Sequence, residues 1–394
     1  MSRPAPEPPD RLLTGPFLAL TVSSLVFFVA GGMVLPVAPL FATGPIGVDA
    51  LGFGLSIGVF SLAALAVRPV VGWSADRYGR RPLLVGGALV TAAATALHLG
   101  VASIGPFVAV RALLGVAEGA FLVAMLSGFA DLAPPRRTGE ALSLGSVALW
   151  TGVAIGPMIG ETLLAAGSFA AVWIGATLLA LAAAGLALVV PETRPETAPG
   201  DGPRGRVFHP AGVLPGVLVL SATWGMAGFL AFVPLHAQAL GASGAGPALT
   251  LYGAIVLAIR LGGARLPDRI GPPRLSAIAL AIIAVGLALM GTLPGFGGLL
   301  AGTAVFAVGI GLSVPAIMAL AILRAPVADR GSVVGTASVF LDLSFGLAPV
   351  VLAPIAREAG YPSTFLLSAV VAAGGVGLLL VRRAGVPAGE GSAG

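Results

Sequence analysis

Long apolar runs, separated by short charged or Pro/Gly-rich breaks, fill almost the whole chain. A bilayer core of about 30 Å is crossed by roughly 20 apolar residues in helical form, so each run predicts a membrane-spanning helix. The first six cover residues 17–41, 50–73, 82–101, 104–132, 141–165 and 169–190. Residues 191–212, rich in Pro and Arg, interrupt the series. Six more runs follow at 213–240, 247–266, 275–293, 295–323, 333–356 and 363–381. The expected fold is an all-α membrane protein with twelve transmembrane helices in two pseudo-symmetric six-helix bundles. The corresponding division is 1–190, a cytoplasmic linker 191–212, and 213–394 with a short cytoplasmic tail. The first run is too long for a removable leader and lacks a convincing cleavage site, so it reads as a span.

Composition sharpens this. Of the 394 residues 57% are hydrophobic and only 9% charged, where a soluble domain carries roughly a quarter charged. The absence of Cys excludes a secreted disulfide scaffold, and the apolar excess excludes a disordered chain or a nucleic-acid binder. All 21 basic residues are Arg. With the N-terminus placed on the cytoplasmic side, every Arg outside the spans except Arg357 falls on that side, as the positive-inside bias requires. Both termini are then cytoplasmic, and the expected location is the inner (plasma) membrane, crossed many times.

The halves repeat. Arg68 late in the second span and Asp76, Arg77 and Gly79 after it recur as Arg260 late in the eighth and Asp268, Arg269 and Gly271 after it, 192 positions on, and Pro157 and Pro349 share that offset. Duplicated six-span units suit a transporter whose halves rock about a central site.

These residues carry a family resemblance. Gly72-Trp-Ser-Ala-Asp76-Arg77-Tyr-Gly79-Arg80-Arg81 resembles the signature loop of the major facilitator superfamily. Arg111-Ala-Leu-Leu-Gly115 resembles a second motif of that superfamily, with Leu114 where Gln is common. Gly152-Val-Ala-Ile-Gly156-Pro157-Met-Ile-Gly160 resembles the motif of its drug:proton antiporters, with Glu161 replacing the last Gly. Pro191-Glu192-Thr193-Arg194 fits a common ending of the sixth span. The resemblance covers essentially the whole chain and implies the major facilitator fold. It also implies that Asp76, with Arg77, Gly79, Arg80, Asp268, Arg269 and Arg68, forms a latch between the halves on the cytoplasmic side. The alternative is a turn with topology-setting charges. Gly79 permits the tight turn, and Arg80 and Arg81 suit anionic headgroups.

Gly152, Gly156 and Gly160 fall on one helix face, which admits another backbone closely. Pro157 frees a carbonyl and bends the helix. Together they read as a span-five hinge or as ordinary packing.

Ionisable groups inside spans are the strongest functional pointers. Arg111 and Glu118 lie two turns apart on one face, about 10.5 Å along the axis, with Glu118 near the midplane. Glu118 reads as a proton-coupling carboxylate tuned by Arg111, or as half of a structural ion pair. Asp342 is the other deep carboxylate. In the superfamily its span packs beside the second, which implies Arg68 as partner across the halves, in a coupling or a structural role. Arg260 has no evident partner and is expected to snorkel. Phe28, Trp150, Trp224, Phe229 and Tyr252 read as walls of a substrate cavity or as plain packing. Glu161 is expected at the exterior end of its span, as a vestibule residue.

Neither a metal nor a cofactor is expected, since His98, His209 and His236 have no second ligand at helical spacing. An enzyme would need clustered catalytic groups. A chain without Lys cannot carry the phosphate-binding loop of a nucleotide-driven pump, so the energy must come from an ion gradient or from the substrate itself. The leading reading is proton-coupled efflux of small amphipathic or hydrophobic molecules by alternating access. The expected partners are that substrate, protons and bilayer lipid, with no nucleic acid and a monomeric chain. The alternatives are an importer or facilitator of a small metabolite, or a lipid flippase.

Overall fold

A computed structural model describes residues 12–134, 137–193, 209–263, 266–323 and 330–384. The side chains of Asp76 and Asp268 and most of the expected linker 191–212 lie outside the described residues. The described residues form helices and contain no strand. In order these are α1 (Gly15–Thr43), α2 (Ala50–Tyr78), α3 (Arg80–Leu97), α4 (Ile104–Asp131), α5 (Thr138–Ala166) and α6 (Phe169–Val189). Then come α7 (Val213–Ala239), α8 (Gly246–Gly262), a short α9 (Leu266–Ile270), α10 (Pro272–Thr292), α11 (Gly295–Leu323), α12 (Arg330–Ala359) and α13 (Tyr361–Ala384). Ten of them are long and apolar enough to cross a membrane, and two shorter apolar stretches, Gly54–Arg68 in α2 and Gly246–Gly262 in α8, complete the expected twelve.

Helix ends follow local chemistry. Thr14 and Asp49 cap α1 and α2, the Asp49 Oδ1 accepting the Gly52 N–H at 2.9 Å, as short polar side chains do at N-caps. The α2–α3 and α9–α10 turns pass through Gly79 at φ 100° and Gly271 at φ 85°. Only glycine adopts that conformation without strain, so the repeat seen in sequence is a repeated backbone turn.

Helices α1 to α6 pack among themselves, as do α7 to α13. The substantial contacts between the two sets are α2 with α12, α5 with α8, and α1 with α7. At the end of the molecule holding Glu161, one apolar cluster draws on both sets. There Phe41, Phe107 and Trp173 join Leu235, Leu352 and Ala356 in a continuous core. At the opposite end, holding Gly79, the buried clusters are separate: Phe17, Leu84 and Phe129 in the first set, Ala321 and Val333 in the second. Among the described residues, a buried core joins the halves at the Glu161 end, and at the Gly79 end each buried cluster stays within one half.

Candidate functional site: two seams and an interior carboxylate

Two seams join the halves, and the 192-residue repeat relates them. Along α2 and α12, a Cβ at Gly54 would lie 2.6 Å from the Pro349 carbonyl oxygen and 2.8 Å from the Ala353 Cβ, and one at Gly58 2.9 Å from the Gly346 oxygen. Absent side chains let these backbones touch, which is how helices associate in lipid. Along α8 and α5 the equivalent positions are Gly246 beside Glu161 and Thr250 beside Ala154. There the Thr250 hydroxyl donates to the Ala154 carbonyl at 2.8 Å. Deeper in each seam an Arg crosses. The Arg68 Nη1 sits 2.6 Å from the Asp342 Oδ2. The Arg260 guanidinium lies over the Trp150 ring, 4.9 Å from its centroid. Arg68 and Arg260 are repeat partners, and so are Asp342 and Trp150.

The Arg68–Asp342 pairing implied by the resemblance is therefore present. Arg260 departs from expectation, since it does not reach outward. The exposed stripe of α8 is Ala254, Ala258 and Leu261, whereas Arg260 continues the opposite face of Gly253 and Val256, three and seven residues on. Its body rests on an indole, which attracts a guanidinium through the ring's negative face.

Glu161 is also more than a vestibule residue. Its carboxylate accepts the Ala245 and Gly246 N–H groups at 2.6 and 2.7 Å. Those are orphan donors at the N-terminus of α8, where a carboxylate also meets the favourable end of the helix dipole. Near the same end Asp49 and Arg357 bridge the other seam at 3.2 Å, both well exposed.

At the Gly79 end the turn is anchored within its own half. Glu192 accepts the Arg80 and Arg81 N–H groups at 2.8 and 3.2 Å. The Arg80 Nε donates to Asp131 Oδ2 at 2.9 Å and its Nη1 to the Ala75 carbonyl at 2.7 Å. Arg80 is buried, so the expectation that it faces headgroups does not hold, because Asp131 and a helix-end carbonyl satisfy its guanidinium instead. Arg77 stacks on Trp73 and Tyr78 and is exposed, as is Arg269. Of the expected latch residues, Arg68 makes the described cross-half contact.

Gly152, Gly156 and Gly160 line the α5 face that meets α1. A Cβ at Gly152 would fall 2.5 Å from the Phe28 carbonyl carbon, and one at Gly156 2.6 Å from the Gly32 Cα. Gly160 faces the Met33 backbone. This face seats a helix of the same half, while the α5 surface that meets α8 is formed by other residues, Ala154 and Glu161 among them. Pro157 is buried within an unbroken α5.

Glu118 and Arg111 share the α4 face opposite its exposed stripe of Gly105, Ala109, Leu113 and Val116. Each keeps part of its surface accessible. Arg111 lies over the Phe60 ring at 4.7 Å. Among the described residues Glu118 has neither a hydrogen bond nor an ion pair.

The aromatic residues divide. Phe229 and Tyr252 are fully buried, packed with Phe306, and Trp150 meets Tyr252 edge-on at 6.1 Å. Phe28 packs edge-on against Phe27, and Trp224 is half-buried. No group of three or more His, Asp or Glu suited to a metal occurs among the described residues.

Three comparisons bear on this architecture. A family model described as Major Facilitator Superfamily matches residues 20–349 and 245–393. An uncharacterized MFS-type transporter of Burkholderia mallei is 30% identical, covering 98% of both chains. Among solved structures, the human organic anion transporter MFSD10 (TETRAN) superposes with a TM-score of 0.70 at 21% identity, over 95% of this chain and 100% of that one. A bacterial homolog of the human lysosomal transporter Spinster, inward-facing and occupied, gives 0.75 at 13% identity, over 94% and 96%.

Proposed function

We infer, from the premise that this chain belongs to the Major Facilitator Superfamily, that it exports small amphipathic molecules in exchange for protons. Its family and its apolar helices make it a multi-pass membrane transporter. The direction, the coupling ion and the cargo are our reading.

Glu118 carries that reading. A structural ion pair needs a partner, and a carboxylate in a low-dielectric interior is costly without one. Glu118 lies on the interior face of α4 with no hydrogen bond or ion pair among the described residues, and our reading sets that face beside the space between the halves. A group placed this way is suited to bind and release a proton as that space opens to one side and then the other. Arg111, two turns away, supplies the field that biases the exchange, and Asp342 is the second carboxylate, exchanging Arg68 as the halves rock.

The sorting of Arg residues supports placing the Gly79 end and both termini in the cytoplasm of an inner-membrane protein. The described state is then open to the cytoplasm and sealed outside by the Glu161 and Asp49 contacts. The two bundles, 1–190 and 213–394, rock about the seams as a monomer, with 191–212 as linker. In the opposite state the turn of Asp76, with its repeat at Asp268, closes the cytoplasmic side.

Proteoliposomes carrying an imposed pH gradient test this against a panel of lipophilic cations, neutral drugs and organic anions. The expected result is accumulation of a cargo that stops when a protonophore collapses the gradient. Movement indifferent to the gradient overturns antiport in favour of a facilitator.

A further inference from the structure

The two seams are equivalent in backbone and unequal in charge. At Arg68 the opposite half supplies a carboxylate, while at Arg260 the repeat-related position supplies the indole of Trp150. Arg68 and Asp342 neutralise each other, and Arg111, without an ion pair among the described residues, still has the Glu118 carboxylate within electrostatic reach on its own helix face, which Arg260 lacks. Arg260 is left over. It faces the interior, is half-buried, and has no carboxylate within ion-pair distance among the described residues. A guanidinium stays charged at any accessible pH, and a cation–π contact leaves its in-plane donors without acceptors.

A second unmet donor lies beside it. The Tyr252 side chain is fully buried, its hydroxyl has no hydrogen-bond partner, and it lies within electrostatic reach of Arg260. Buried phenols ordinarily find an acceptor. Both groups therefore call for an acceptor, the guanidinium for one bearing negative charge, and both pack against the Trp150 indole.

We propose that Arg260 and Tyr252 form an anion subsite, which recognises a carboxylate, sulfonate or phosphate ester carried on an apolar body. This rests on the transport reading only in taking the space between the halves as the cargo's path. The substrate supplies the counter-charge that the repeat supplies as Asp342 in the other seam. Arg260 is then the residue that sets cargo class, and Tyr252 the donor that orients the acidic group.

Equilibrium binding to the full chain in zwitterionic nanodiscs tests the subsite without needing transport. The probes are naphthalenesulfonate, its neutral methanol analogue and its methylammonium analogue, followed by calorimetry. Wild type binds the sulfonate at least about tenfold tighter than either analogue. Arg260→Gln removes that preference while leaving the neutral analogue's affinity unchanged, Arg260→Lys restores part of it, and Tyr252→Phe weakens the sulfonate alone. Anionic lipid added to the disc competes with the sulfonate in wild type if the natural ligand is a lipid headgroup, and does not if it is a free organic acid. Equal affinities for the three probes, no sulfonate binding, or a preference that survives in Arg260→Gln overturns the subsite. Sulfonate binding that depends on Arg260, in a chain that moves nothing under a pH gradient, retains the subsite and overturns proton-coupled export instead.

Discussion

Trp150 and Asp342 stand 192 positions apart, one in each half, and each receives an arginine from the opposite half. The same seam has been built twice and furnished differently. An ion pair binds through opposite charge and is weakened if the carboxylate takes a proton. A cation–π contact has no proton to lose. The α2–α12 seam can therefore respond to protonation at this depth, and the α5–α8 seam cannot.

Removing one member of the Arg68–Asp342 pair strands a partly buried charge. Loss of one partner of a buried pair costs about 3–5 kcal/mol, whereas replacing both is often nearly neutral. Arg68 is 31% exposed, so the lower end of that range applies here. Thermal unfolding in detergent is expected to show Arg68→Gln and Asp342→Asn each strongly destabilised, with the double variant recovering most of the loss. Additive losses in the double variant would mean that the two groups do not interact.

Glu161 should hold the seal at its end of the molecule more than Asp49 does. Hydrogen bonds to a charged group contribute about 1.5–3 kcal/mol, and Glu161 makes two, partly buried, to backbone donors. The exposed Asp49–Arg357 bridge falls in the class measured at about 0–1 kcal/mol. The chain has no Cys, so spin labels at Ser103→Cys and Ser243→Cys report the separation of the halves at this end. Glu161→Ala should shift the distance distribution toward a longer, open population, and Asp49→Asn should leave it in place. An unmoved distribution in Glu161→Ala would remove the seal from that residue.

Close backbone approach sets the cost of a single methyl group on α5. At Gly156 a Cβ meets the Gly32 Cα at 2.6 Å, while at Gly185 on α6 it meets nothing within 4 Å. Overpacking costs about 1–3 kcal/mol. Gly156→Ala should lower the melting temperature, and Gly185→Ala should not. Equal melting temperatures would show that α1 and α5 separate freely.

The helices and the repeated turn were legible in the sequence because bilayer thickness and the charged breaks between runs dictate them. The Arg68–Asp342 pair was reached through the family resemblance, which says that their spans adjoin. The contacts of Glu161 with α8, of Glu192 with the α3 N-terminus, of Arg80 with Asp131 and of Arg260 with Trp150 were not legible. Most of these helices are apolar all round, since lipid and protein interior favour the same side chains. Periodicity then does not say which face meets which neighbour. One signal was available: the 192-residue offset that pairs Arg68 with Arg260 also pairs Asp342 with Trp150, which pointed to the indole as the partner of Arg260.

Proton coupling through Glu118 is the central claim, and comparing two fluxes in one variant tests it most directly. Proteoliposomes with Glu118→Gln are assayed for accumulation driven by a pH gradient and for exchange of labelled against unlabelled cargo. The account predicts that exchange persists, because the cargo path and the rocking of the halves remain, while gradient-driven accumulation is lost. Accumulation at the wild-type rate in Glu118→Gln would contradict it.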